Sequence, residues 1–231
     1  DLSPIAAPTA PRELQPLIAA TTQVMQRLRH LLRHQKRFVR DASHQLRTPL
    51  AVLKTQVQSA LRGDMPAEQA LHEISDTVDR ATQLANQMLA LAKVEQLRQQ
   101  SEPPITRLDE VLRTVALEMS PLIAQRDLDF GIHTEAAPVR AHEWMLRELT
   151  RNLLHNAVRH APHGSELAVD LRCDAHHTAL TISDCGPGID PELAARLFQP
   201  FSAGDVRSGS GLGLAICQEI VQALGGSITL S

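Results

Sequence analysis

Two runs of small or apolar residues, spaced alternately three and four apart, limit what this chain can fold into. The first is Val39, Ser43, Leu46, Leu50, Leu53, Val57 and Ala60; the second is Leu71, Ile74, Val78, Ala81, Ala85, Met88 and Ala92, with Leu84 and Leu91 widening the stripe. Such spacing keeps one face of an α-helix apolar along its length, the pattern of helices that pack along a seam. The helical pattern begins at Glu13 and runs through Leu17, Val24, Leu28 and Leu32 into the first run, so one long helix is predicted to about Arg62. Arg62-Gly63-Asp64-Met65-Pro66 breaks it, and the two helices then form an antiparallel hairpin. A hairpin cannot shelter both seams alone. Its simplest completion is a second copy, giving an all-α dimeric four-helix bundle. A coiled-coil spacer without chemistry has the same spacing.

His44 lies one residue off the first seam, which turns its imidazole about 100° away from the packed stripe. Pro49 follows inside the same helix, where it removes a backbone donor and favours a local bend. A histidine on a helix surface is ordinarily just a solvated side chain, and the stretch around this one sets it apart. FVRDASHQLRTPL, residues 38–50, resembles the phosphoacceptor box of sensor histidine kinases, in their dimerisation and phosphotransfer domain. The residue after the histidine is typically an acid in that family and is Gln45 here.

Periodicity changes after Ser101-Glu102-Pro103-Pro104. The chain therefore reads as a linker over 1–12, a helical hairpin over 13–100 and a second domain over 101–231. That domain opens with an amphipathic helix carrying Leu108, Val111, Leu112, Val115 and Leu122, then an extended run from Leu128 to His133 and a helix from about His142 to His160. Period-two alternation at Leu167, Val169, Leu171 and Cys173, and again at Leu180 and Ile182, predicts two strands with His176-His177 at the turn between them. Helices near 191–198 and 212–224 and a strand over 227–230 complete the pattern. This mixture fits an α/β sandwich, a mixed sheet with helices on one face.

Three constellations in the second domain bear on chemistry. Glu148, Asn152 and Asn156 are each four apart and share one helical ridge. Amide oxygens of this kind suit Mg²⁺, while Arg159 and His160 bring positive charge toward a polyphosphate; taken alone, two asparagines four apart are more often a solvated helix face. Asp184-Cys185-Gly186-Pro187-Gly188 follows a strand directly. Asp184 shares the parity of Leu180 and Ile182 and so is predicted to point to the buried side, where a carboxylate needs a donor such as an exocyclic amine. Gly186 and Gly188 permit close backbone approach or simply a turn. Finally, Gly209-Ser210-Gly211-Leu212-Gly213-Leu214 opens a helix, where backbone N–H groups form an anion site or a plain cap. Phe198, Pro200 and Phe201 precede a polar loop, 202–208, short enough to act as a lid.

In this order RELTRNLLHNAVRH, DCGPGI, LFQPF and GSGLGLAI resemble the asparagine, first glycine, phenylalanine and second glycine boxes of the histidine kinase ATP-binding domain. The resemblance runs from about Glu13 to the last residue. It implies that Asn156 coordinates Mg²⁺, that Asn152 lies near the phosphates, and that Asp184 hydrogen-bonds the adenine amine of ATP. It further implies autophosphorylation of His44, transfer to an aspartate in the receiver domain of a response regulator, and a homodimer joined through the hairpin. PRELQPL, residues 11–17, looks like the tail of a signal-relay segment in kinases anchored by membrane spans, so a cytoplasmic portion of a bacterial inner-membrane protein is expected. An imidazole of ordinary pKa, about 6.5, is mostly neutral at pH 7 and can attack without a strong base. Because an amide cannot accept the histidine's proton, Gln45 predicts a modest autokinase rate. Thr48, on the same face as His44, is placed as its family counterpart is to position water for dephosphorylating the regulator.

Net charge of −3 gives no attraction to nucleic acid. The cysteines, Cys173, Cys185 and Cys217, lack CxxC spacing, which argues against zinc or a disulfide scaffold. No apolar run reaches the roughly 18 residues of a membrane span, so solubility is expected, natural or because an anchor lies outside the sequence. Two other readings compete: a nucleotide-binding scaffold that never forms phosphohistidine, and an ATP-hydrolysing clamp. Asn152 stands where such a clamp carries its carboxylate, which disfavours hydrolysis.

Overall fold

A computed structural model of the protein describes residues 15–98, 102–189, 191–194, 196–199 and 211–230. The chain divides into two compact units, Asp1–Thr82 and Gln83–Ser231. The predicted linker over 1–12 lies outside the described residues.

Helix α1 spans Gln15–Arg62 and continues through Pro49; α2 spans Ala67–Arg98. The turn between them has a specific chemistry. Gly63 adopts a left-handed φ of 75°, its N–H donates to the Ala60 carbonyl, and the Asp64 N–H donates to that of Ser59. This paired closure satisfies the Ser59 and Ala60 carbonyls in the last turn of α1 and favours a residue without a Cβ at Gly63. In the single chain the predicted seams stay open in part, with Leu50 58% and Leu71 67% exposed. In the first turns of α2 the buried positions are Ala70 and Thr77, each one residue before a seam leucine or valine, whereas further along the seam residues Leu84 and Met88 are buried as predicted. Thr77 remains satisfied by donating its hydroxyl to the Glu73 carbonyl at 2.9 Å.

In the second unit the last turns of α2 bury Leu84, Met88 and Val94, and the Lys93 ammonium sits 4.3 Å from the centre of the Trp144 ring. Strands β1 (Ile105–Arg107) and β3 (Pro138–Arg140) form an antiparallel clasp that the sequence did not signal, since three residues carry no measurable alternation. The main sheet has the order β2-β4-β5, from Asp129–Thr134, Glu166–Cys173 and Thr178–Asp184. β2 pairs with β4 in parallel and β4 with β5 antiparallel, so the sheet is mixed as predicted. Leu167, Val169 and Leu171 of β4 are buried as the alternation requires. Helix α4 (Glu143–His160) packs on α3 (Leu108–Gln125), on α6 (Gly213–Ala223) and on β5.

Asp109 is a buried charge, 1% exposed. Arg107 donates to both of its oxygens at 2.9 and 2.7 Å, and the Ala137 N–H donates at 3.0 Å. The adjoining Arg107 guanidinium outweighs the cost of burial and holds the carboxyl far below the usual carboxylate range.

Two predicted elements differ. The helix expected near 191–198 is a single turn, α5 (Pro191–Ala194), followed by turns. Residues 227–230 form no strand. Ser227, Ile228, Thr229 and Leu230 alternate correctly, but a strand is defined by a neighbour's hydrogen bonds, and alternation cannot supply those.

Candidate active site

On α1, His44, Gln45 and Thr48 are all exposed, while Leu46 and Pro49 are half-buried. The imidazole therefore faces water, as its position off the seam requires. Pro49 has no N–H to offer the Gln45 carbonyl four residues back, so the backbone is weakened beside His44.

In the other unit, α4 gathers the remaining candidates. Glu148, Asn152 and Asn156 are half-buried along one ridge, with Arg159 half-buried and His160 exposed at the helix end. There the two basic side chains complement the negative pole of the helix. Burial first, and the charges of Arg159 and His160 second, hold the His155 imidazole below its ordinary range. The Asn152 amide donates to the Glu148 carbonyl and to Glu148 Oε1, both at 2.8 Å.

Both glycine motifs close on this ridge. A Cβ at Gly186 would lie 2.6 Å from Asp184 Oδ1 and 3.2 Å from the His160 carbonyl oxygen, so glycine lets the end of β5 meet the end of α4. A Cβ at Gly213 would lie 3.1 Å from Asn152 Oδ1, which brings the start of α6 against the asparagine. Gly188 and Gly211 take left-handed φ values of 75° and 65°, conformations open to glycine at little cost. Leu212 is fully buried. Phe201, Gly209 and the proposed lid, 202–208, lie outside the described residues.

One expectation needs correction. Asp184 pairs with buried Leu167 in the sheet register and so faces the predicted side, yet it is exposed. It is the last residue of β5, and its Oδ1 accepts the Gly186 N–H at 2.8 Å. Parity fixes direction; depth depends on how far the covering helices reach. His176 and His177 sit on the hairpin tip, where Asp174 Oδ1 accepts both backbone N–H groups at 2.7 Å. Cys217, which no motif singled out, is buried against α4 with its Sγ 3.8 Å from the Leu149 carbonyl oxygen.

Residues 34–97 match the His Kinase A (phospho-acceptor) domain, and residues 141–231 match the histidine kinase-, DNA gyrase B- and HSP90-like ATPases. The chain belongs to the sensor histidine kinases. It is 33% identical over 234 residues to the sensor protein QseC of Salmonella typhi, covering 98% of this chain and 51% of QseC. With the sensor protein kinase PmrB of Pseudomonas aeruginosa it shares 34% identity over 236 residues, covering 99% and 49%. The solved structure of the Acinetobacter baumannii histidine kinase AdeS matches with a TM-score of 0.65 at 25% identity, covering 78% of this chain and 86% of that one. This sensor histidine kinase chain spans about half the length of the curated relatives it matches.

Proposed function

We propose that the chain is the cytoplasmic portion of a membrane-anchored sensor histidine kinase, with 13–100 as its dimerisation and phosphotransfer domain and 101–231 as its ATP-binding domain. The observation that carries the reading is the convergence of Asn152 with Gly213, and of Asp184 and Gly186 with the end of α4, in a chain that also exposes His44. Nucleotide recognition falls to Asp184, whose second carboxylate oxygen is available to an adenine amine, and to the backbone at Gly186 and Gly188, which admits a ligand closely. The start of α6 receives phosphate oxygens, and Arg159 and His160 at the end of α4 add positive charge. The oxygen-bearing side chains of Asn152 and Asn156 match what Mg²⁺ prefers, and Asn156 is the proposed ligand. Bound Mg²⁺ would neutralise charge on the phosphates as the transfer proceeds.

A ring nitrogen of His44 supplies the electron pair for the new N–P bond as the bond from the γ-phosphorus to the bridging oxygen breaks and ADP departs. The ring proton passes to solvent, because Gln45 has no basic oxygen to take it. The phosphoryl group then moves to an aspartate of a response regulator receiver domain docked on the helices. Apolar side chains left open on the hairpin, among them Leu50, Val57, Leu71 and Val78, support closure by a second copy. Incubation with γ-labelled ATP tests the reading: wild type should carry an acid-labile label that His44→Gln lacks. Free phosphate with no labelled protein would point to a hydrolysing clamp, and neither product would point to a scaffold.

Gln45 favours a second balance within the same reading. With the autokinase step slowed and Thr48 positioned to hold water, the chain is biased toward dephosphorylating its regulator.

A further inference from the structure

Asn152 presents two faces of its amide to two different elements. Its NH₂ group donates to the Glu148 carbonyl and to Glu148 Oε1, at 2.8 Å each. That leaves the oxygen turned to α6, where Gly213 has room only for hydrogen: a Cβ there would stand 3.1 Å from Oδ1. Glu148 itself is half-buried. Burial, and after it the Glu148 charge, push the Cys217 thiol of α6 up, so the carboxylate is felt across the α4–α6 contact.

An amide can be turned over at little intrinsic cost, since its oxygen and nitrogen are nearly equal in size. Turned over here, the NH₂ donors would meet the start of α6, a helix end that already carries unsatisfied N–H groups and partial positive charge. We propose that Glu148 is a positioning residue for the nucleotide site: it makes no contact with ATP but locks the Asn152 carboxamide so that its oxygen faces Gly213. Glu148, a sequence candidate for direct cofactor binding, is thereby reassigned. The role rests on the nucleotide-binding reading above. Its effect is to keep the start of α6 seated beside α4, with its amides directed at the phosphates.

Calorimetric titration of the full chain with a non-hydrolysable ATP analogue and Mg²⁺ tests this. Glu148→Ala should weaken binding by about tenfold, the scale of one charge-assisted hydrogen bond lost in part. Glu148→Gln keeps an acceptor oxygen and should stay within about threefold of wild type. Gly213→Ala should weaken binding alone, yet add less in the Glu148→Ala background, where the freed amide can swing away from the new methyl. A purely structural Glu148 would instead lower the melting temperature without nucleotide and give additive losses. The proposal is overturned if Glu148→Ala binds like wild type, if Glu148→Gln is as weak as Glu148→Ala, or if the double variant is additive. Should Gly213→Ala fail to fold, the comparison of Ala with Gln at 148 decides. Absence of binding by wild type would overturn the nucleotide reading itself, a result distinct from equal binding by wild type and variant.

Discussion

Gln45 is a single-atom-scale departure with a kinetic consequence. An amide can orient the neighbouring imidazole but cannot accept its proton, and a positioned base is worth about 10²–10⁴ in rate. Gln45→Glu should therefore raise phosphate incorporation into His44 by at least about tenfold in single-turnover labelling; no gain would show that the amide is not limiting. Asp109 gives a second prediction at this scale, one of stability. Its carboxyl is depressed in the folded chain by the Arg107 guanidinium, so its contribution is fully present above the unfolded value of about 3.9 and is lost as pH falls below it. Asp109→Asn should cost about 1–3 kcal/mol at neutral pH, since Arg107 is itself about half-exposed and loses less than a fully buried partner would. Thermal melts between pH 7 and pH 3 check the sign: the gap between wild type and variant should narrow only at the acid end.

The elements follow their local chemistry closely. α1 ends where Gly63 can adopt φ of 75°, a conformation that costs an ordinary L-residue about 1–2 kcal/mol. Gly63→Ala should lower hairpin stability by about 1 kcal/mol, measured by denaturant unfolding followed by circular dichroism. Helix α4 was legible in advance at both ends, and so was the alternation that forms β4 and β5. The β1–β3 clasp was not, because each strand is three residues long and takes its identity from its partner. Residues 227–230 show the converse: the right pattern without a strand.

At the scale of the molecule, the open faces of the hairpin predict self-association. The apolar positions left exposed in one chain, including Leu50 and Leu71, make a stripe that isolated helices in water do not tolerate well. Sedimentation should find a dimer for wild type, and Leu50→Asp with Leu71→Asp should shift it to monomer while leaving nucleotide binding by the second unit in place. A wild-type monomer at micromolar concentration would remove the four-helix arrangement from consideration.

Periodicity and motif order, both local properties, determined the helical hairpin, the mixed-sheet domain after it and the candidates His44, Asn152, Asn156, Asp184 and the glycines. Contacts between distant segments lay beyond that reading. Folding in three dimensions buried Ala70 and Thr77 instead of Leu71 and Val78 at the start of α2, left Asp184 exposed despite its inward parity, and put Gly213 against Asn152. The reason is physical: a side chain's direction follows from its own backbone, whereas its burial and its partner depend on which other segment arrives to cover it.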